Sequence, residues 1–186
     1  MDSRRFKVRD FSNSRGALRS DMNPPAKLTD LMDAIEFELE NYHTYFDRQT
    51  GRIISVEKTI LSAVEEGDDD ALTDAPDWQG EEVEAAKAIV DDPGNRFIAP
   101  PDKFDFNEYR HMERFIRSLP DTKATEQLWR AIEGRGAFRS FKDTLYRLGI
   151  EKQWFRYRHE QLKRFVIEWA EANNVAYEDD TQKRIQ

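Results

Sequence analysis

The chain has no cysteine and no long apolar run, and each absence excludes a class of protein. Without cysteine there is no disulfide framework and no thiolate metal site, which is typical of a reducing compartment. No apolar stretch approaches the roughly 18 residues that a membrane-spanning helix needs. Residues 1–11 also lack the apolar segment of a secretory signal. These absences favour a cytoplasmic protein without a membrane partner.

Motifs of the common enzyme classes are also missing. The sequence contains no phosphate-binding P-loop, no dinucleotide fingerprint and no nucleophile elbow. His43, His111 and His159 lack the spacing of metal ligands, and the acidic residues 68–70 lack the turn glycine of a calcium loop. We therefore expect no metal, no cofactor and no catalytic residue. Dispersed catalytic residues leave no such motif, so an enzyme stays a third hypothesis.

What the chain does contain is a strong separation of charge along its 186 residues. Residues 1–27 carry 7 basic and 3 acidic side chains, residues 28–105 carry 6 and 21, and residues 106–186 carry 16 and 13. The formal net charge is -8. Such an acidic average disfavours non-specific binding to polyanions, but it leaves room for a local basic site.

Alternation of apolar residues predicts a small antiparallel sheet in the N-terminal half. Two β-rich runs, residues 42–46 and 52–56, flank the loop at residues 47–51. The aspartate that opens this loop can bond its own backbone, and the glycine that closes it can adopt the left-handed conformation. A third β-like run at residues 96–99 suits an edge strand. Helices are predicted from residue 28, over residues 59–65 and over residues 81–90.

The C-terminal half is predicted to be helical. Apolar residues recur at helical spacing in four segments, which are separated by Pro120, by the glycines at 134 and 136, and by Gly149. The sequence therefore predicts an α+β fold. It would combine a small antiparallel β-hairpin or three-stranded sheet with a mainly α-helical C-terminal half.

We predict one domain with polar ends. Residues 27–174 form this α+β domain, within which residues 66–80 are an acidic loop that we expect to be mobile. Residues 1–26 are predicted to be a mobile basic tail, and residues 175–186 a frayed tail. All three segments are polar and lack apolar periodicity, so little burial would offset the entropy lost on ordering.

A glycine-flanked turn is the first candidate anion site. Arg135 lies between two glycines at the start of a predicted helix that carries Arg139 and Lys142. Free backbone N–H groups and the positive end of the helix dipole suit an anion there. The alternative, which we favour, is a turn between packed helices in which Arg139 and Asp143 pair one turn apart.

A second candidate is a stripe of arginines at helical spacing. It comprises Arg110, Arg114 and Arg117. Downstream, residues 130–164 carry 10 basic and 4 acidic side chains interleaved with aromatic rings. Arginine and aromatic rings together are what a nucleic-acid surface needs. However, most of the rings, Phe138 and Phe155 among them, fall on predicted apolar faces, so a solvated basic face is the preferred interpretation.

Arg158 is unusual because it falls near the middle of the apolar face of the last predicted helix. A buried guanidinium costs several kcal/mol unless it is paired. Glu133 and Asp143 are the candidate partners on the sequence. We favour a salt bridge that joins helices over a pocket arginine that grips a ligand.

Several stretches resemble an uncharacterised protein family (UPF class) of small bacterial proteins with a G-x-G-A-F-R-x-F-K-D motif. The matching stretches are residues 45–54, 98–101, 108–116, 131–143, 154–158 and 168–173. The run AIEGRGAFRSFKD is the most specific of them, and the similarity covers residues 28–174. The long basic N-terminal extension and Ala170, where leucine would fit the pattern, depart from it. The resemblance implies a bacterial origin and a domain outline, and it implies no activity.

These observations lead to two hypotheses about function. The first is a non-catalytic binding or regulatory module of the bacterial cytoplasm with an unknown protein partner. The alternative is binding of nucleic acid, either RNA or DNA, through the arginine-rich C-terminal helices.

Overall fold

The computed structural model describes residues 23–37, 39–68, 72, 79–120 and 122–184. In chain order, the elements are β1 (Ala26–Lys27), α1 (Leu28–Glu36), β2 (Tyr42–Asp47), β3 (Arg52–Glu57), α2 (Lys58–Glu66), α3 (Gly80–Val90), β4 (Phe97–Ile98), α4 (Lys103–Phe106), α5 (Glu108–Ser118), α6 (Lys123–Ile132), α7 (Ala137–Leu148), α8 (Glu151–Ala172) and β5 (Tyr177–Glu178), followed by a 3₁₀ turn at Thr181–Arg184. Residues 1–22 of the predicted basic tail and most of the predicted acidic loop lie outside the described residues. No helix within the described ranges is long and apolar enough to cross a membrane.

The predicted hairpin is present as β2 and β3, and β4 completes a three-stranded antiparallel sheet in the order β3-β2-β4. The loop closes at Gly51, whose φ is +69°. A side chain at this position would also collide with the backbone, because its Cβ would lie 2.7 Å from the carbonyl oxygen of Pro24. Glycine is therefore required for both conformation and close approach. The predicted α+β fold is confirmed.

Three apolar clusters position these elements. The first lies between the sheet, α1 and α8, the second fills the bundle of α5 to α8, and the third joins the sheet to α2 and α3. Their fully buried members include Leu28, Leu31, Phe46, Leu162 and Val166 in the first cluster, Met112, Leu128, Phe141 and Trp154 in the second, and Val56 and Ala86 in the third. Because α8 contributes to both the first and the second cluster, it connects the sheet to the bundle.

Two aromatic residues differ from their prediction. Phe138 and Phe155 were expected to face the core, yet they are 48% and 49% exposed. The inward positions of their helices belong instead to Phe141 and Trp154, whose rings pack edge to face with centroids 5.0 Å apart. The two exposed rings flank this narrow stripe, where no neighbouring helix covers them fully.

The C-terminal segment, predicted to be a frayed tail, makes specific contacts with the fold in the part that the structure describes. β5 pairs in parallel with β1, and Thr181 is only 3% exposed. The Asp180 carboxylate accepts hydrogen bonds from the backbone N–H of Thr29 at 3.0 Å and from its hydroxyl at 2.5 Å. Lys163 adds an ion pair to Asp179 at 2.5 Å. Charged hydrogen bonds therefore attach this polar segment, together with Val175, which is buried in the first apolar cluster.

Candidate functional site

The hairpin loop contains a closed polar cluster around Asp47. The Asp47 carboxylate is fully buried. It accepts hydrogen bonds from the Nε and the Nη2 of Arg96, each at 2.9 Å. The Gln49 backbone N–H and the Thr50 hydroxyl also donate to it, each at 2.9 Å. Burial opposes ionisation, but these hydrogen bonds keep the pKa of Asp47 below its usual value. All the partners are internal, so this cluster stabilises the loop.

Arg158 lies where α1, α5 and α8 meet. Its Nε donates to Glu108 at 2.9 Å and its Nη1 donates to Glu36, while the guanidinium carbon lies 5.8 Å from the centre of the Phe106 ring. Burial disfavours the charge, yet the two carboxylates raise the pKa of Arg158. The side chain is 22% exposed, so it is half-buried rather than central to the core.

The partners predicted for Arg158 were wrong. Glu133 and Asp143 are both exposed, at the end of α6 and on α7, and neither contacts Arg158 in the described structure. The actual partners lie 122 and 50 residues away along the chain. The prediction chose carboxylates that are close to Arg158 in the sequence. The packing of α1 and α5 against α8 instead places Glu36 and Glu108 beside it.

His111 lies beside this ion-pair network. Its ring stacks on Phe106 with centroids 4.3 Å apart, and its Nδ1 is buried without a hydrogen bond in the described structure. Burial lowers the pKa of His111, and the charge of Arg114 lowers it further. The imidazole is therefore kept neutral near physiological pH, between a ring and two cations.

The predicted arginine stripe on α5 is exposed, but its members differ in their surroundings. Arg117 lies 5.4 Å above the Trp129 ring and 3.9 Å from the carboxylate of Glu113. Arg110 and Arg114 form no ion pair with any described residue. Only these two arginines of the stripe keep their charge available to another molecule.

Arginines of two helices, Arg114 of α5 and Arg164 of α8, both act electrostatically on Tyr157 where α5 and α8 pack together. Burial raises the pKa of Tyr157, although the nearby charges of Arg114 and Arg164 act to lower it. The Tyr157 ring packs against Phe115 and Trp154 with centroids 5.4 Å and 6.0 Å away. We call Arg114, Tyr157 and Arg164 the basic seam. Sequence reasoning missed Arg164, whose only signal is its place two helical turns after Tyr157.

The predicted anion site at the start of α7 is open and of mixed charge. Arg139 and Asp143 line the same shallow cavity of about 420 Å³, but no ion pair joins them in the described structure. Arg135 and Lys142 are exposed and do not line this cavity. Gly136 has a φ of 78°, with no atom within 4 Å of a Cβ built there. Gly136 is therefore needed for the left-handed conformation of the turn and not for the close approach of another group.

The described residues bring together no group of three or more His, Asp or Glu side chains that is placed to hold a metal ion. The polar groups with the strongest pairing are the Asp47 and Arg158 clusters, and both are engaged inside the protein. At the basic seam, by contrast, the exposed Arg114 and Arg164 both act electrostatically on Tyr157, and neither has an ion-pair partner among the described residues.

Fold and site thus define an α+β protein with an exposed cationic seam on its helical bundle. The family model described as "Uncharacterised protein family (UPF0158)" matches residues 22–183, so the chain belongs to that family. A curated relative, a UPF0158 protein of Pseudomonas aeruginosa, is 29% identical over 65 residues, which are 34% of this chain and 42% of the relative. The match therefore spans less than half of the relative's length. No solved structure matches the chain. The predicted resemblance to an uncharacterised family is confirmed.

Proposed function

We propose that this chain is a non-catalytic binding module of the bacterial cytoplasm that docks an acidic segment of a protein partner on the basic seam. One observation carries the proposal. Arg114 on α5 and Arg164 on α8 are both exposed, both charges act on the pKa of Tyr157 where the Phe115 and Tyr157 rings join the two helices, and neither arginine forms an ion pair with a described residue. Arginine binds carboxylates in a fixed two-pronged geometry, and the tyrosine hydroxyl adds one hydrogen-bonding group.

Binding is proposed rather than catalysis because the strongly perturbed groups already have internal partners. Asp47 is saturated by Arg96 and the loop, and Arg158 is shared by Glu36 and Glu108. A general acid or base needs a free position for the proton that it transfers. Asp47 and Arg158 therefore join elements of the fold through ion pairs, whereas the seam arginines form no ion pair with a described residue.

Nucleic acid is the second candidate, and exposed aromatic rings favour it. Phe138, Tyr146 and Phe155 are 48%, 75% and 49% exposed on the basic helices α7 and α8, where bases can stack. At the seam itself, however, Tyr157 is partly buried and already packs against Phe115 and Trp154, so it presents less open ring surface than those three residues. The overall charge of -8 also repels a polyanion. An acidic protein segment therefore suits the seam better.

The test is a titration of the full chain with a glutamate-rich peptide and with mixed RNA and DNA oligomers at low salt. Arg114→Glu with Arg164→Glu should weaken peptide binding by at least about tenfold, because both charge contacts become repulsive. The matched control is Lys123→Glu with Arg130→Glu on α6, which changes the net charge equally and should weaken binding by less than about twofold. Both double variants carry exposed substitutions, so their free energies of unfolding should stay within about 0.5 kcal/mol of the parent.

The possible outcomes separate the candidates. An equal loss in both double variants would show that general charge, and not the seam, attracts the peptide. Oligomer binding that is tighter than peptide binding and falls steeply with salt would favour the nucleic-acid alternative. If neither peptide nor oligomer binds at micromolar protein, the proposed function is wrong.

A further inference from the structure

A cavity of about 410 Å³ opens between α1, α8 and the final 3₁₀ turn. Most of its lining surface is apolar. Its charged and polar walls include Asp33, Glu36, Arg156, His159 and Glu160, with Met32 and Thr181 beside them. A volume of this size lies within the range of small-molecule sites, which combine apolar walls with a few polar groups. The cavity shares no residue with the basic seam.

Hydrogen bonds fix the wall that the C-terminal segment supplies. The Thr181 hydroxyl donates to Asp179 at 2.6 Å and accepts from Lys163 of α8 at 3.1 Å. Asp180 binds the first turn of α1 through Thr29. Met32 at 4% exposure belongs to the first apolar cluster. The cavity is therefore bounded by bonded and packed groups on both sides.

Three side chains of α8 bring polar groups to the cavity without internal partners. Arg156 and Glu160 are one helical turn apart, a spacing at which opposite charges usually pair. No ion pair joins them in the described structure, and His159 between them makes no hydrogen bond there. Glu36, in contrast, is already bound to Arg158. The cavity thus offers a guanidinium, a carboxylate and an imidazole beside an apolar wall.

We propose that this cavity binds a small zwitterion with an apolar body, the chemistry of a free apolar amino acid. Arg156 pairs with the ligand carboxylate, Glu160 pairs with its ammonium group, and the apolar body packs against Met32. A simple amine would leave Arg156 without a counterion, and a simple acid would meet the repulsion of Asp33, Glu36 and Glu160. A ligand with both charges satisfies both free groups.

The experiment titrates the full chain with leucine, methionine, phenylalanine and tryptophan by calorimetry and by the shift of the thermal midpoint. At least one of them should bind saturably at a single site and raise the midpoint by mass action. Its N-acetyl derivative, its amide and glycine should each bind at least about tenfold more weakly, because each lacks the ammonium charge, the carboxylate or the apolar body.

Variants then locate the site. Arg156→Gln and Glu160→Gln should each weaken binding by about tenfold or more. The control pair is Arg130→Gln and Glu126→Gln on α6, which has the same one-turn spacing and an exposed position but lies outside the cavity. These controls should bind like the parent chain.

Three results would overturn the proposal. They are the absence of saturable binding up to about 10 mM ligand, binding that survives both α8 substitutions, and equal binding of the amide or the N-acetyl derivative. Unfolding midpoints of the free variants establish that each one is folded before it is titrated. A failure here leaves the peptide titration of the seam unaffected, since the two sites share no residue.

Discussion

In the sheet region carboxylates close the loops, whereas in the helical bundle several arginines have no partner. Asp47 is saturated by Arg96, and the Asp92 carboxylate accepts the backbone N–H groups of Arg96 and Phe97 at 3.1 Å and 3.0 Å. In the bundle, Arg114 and Arg164 are exposed and act electrostatically on Tyr157, and neither forms an ion pair with a described residue. The carboxylates of the sheet region hold the backbone of the loops in place. The seam arginines of the bundle have no such internal partner and can bind another molecule.

The contrast shows that net charge is a poor guide to function. Residues 28–105 carry the larger excess, 21 acidic against 6 basic side chains, yet the carboxylates described above have roles inside the fold. Residues 106–186 are only slightly basic, with 16 basic and 13 acidic side chains. Their unpaired arginines nevertheless make the better candidate surface, because an ion pair that already exists must be broken before the charge can bind a partner.

The largest effect is expected from breaking the loop cluster of the sheet region. Asp47→Ala removes the acceptor of two arginine bonds and two loop bonds, so the free energy of unfolding should fall by about 2–4 kcal/mol. The Arg96 side chain is 39% exposed and can return to water, which limits the loss. Denaturant unfolding measures the change. Asp91→Ala, at an exposed position nearby, is the control, and an equally small effect of both would contradict the structural role of Asp47.

A smaller effect is expected at Arg158, a bundle arginine that two carboxylates from other helices pair inside the fold. Arg158→Met should lower the free energy of unfolding by about 1–3 kcal/mol. Glu36 and Glu108 keep side-chain exposures of 32% and 31%, so water can solvate them once the arginine is gone. Arg164→Met on the same helix should change stability by less than about 0.5 kcal/mol. If the two variants lose the same amount, the distinction between structural and free arginines fails.

The smallest effect concerns acid stability at His111. Its pKa is lowered in the folded chain, so the unfolded chain takes up the proton first as the pH falls below about 6.5. The contribution of the neutral ring is therefore complete above that pH and is lost below it. His111→Phe keeps the stack on Phe106 and should make unfolding less pH-dependent between about pH 6.5 and 5. The exposed His43 replaced by phenylalanine is the control. An unchanged pH profile in His111→Phe would show that the ring is not buried beside the cations.

Sequence reasoning succeeded where the signal is local. The hairpin follows from alternating residues on either side of residues 47–51, and the four C-terminal helices follow from apolar periodicity and from breaks at proline and glycine. The prediction that Phe138 and Phe155 face the core was wrong. The spacing of apolar residues locates the buried face of a helix but does not show how wide that face is. Sequence reasoning also did not foresee the contacts of the segment after residue 174, where Val175 joins the first apolar cluster and Asp180 is hydrogen-bonded to α1.

The sequence by itself determined the hairpin, the main helices, the α+β class and the need for a partner at Arg158, since each depends on a few neighbouring residues and on the cost of burying a charge. Only the tertiary structure decided that the partners are Glu36 and Glu108, that Arg114 and Arg164 both act on Tyr157, and that the short strands β1 and β5 pair. Helix packing depends on the shapes of whole apolar faces summed over many contacts. A local sequence pattern therefore does not predict which surface residues become neighbours when the helices pack.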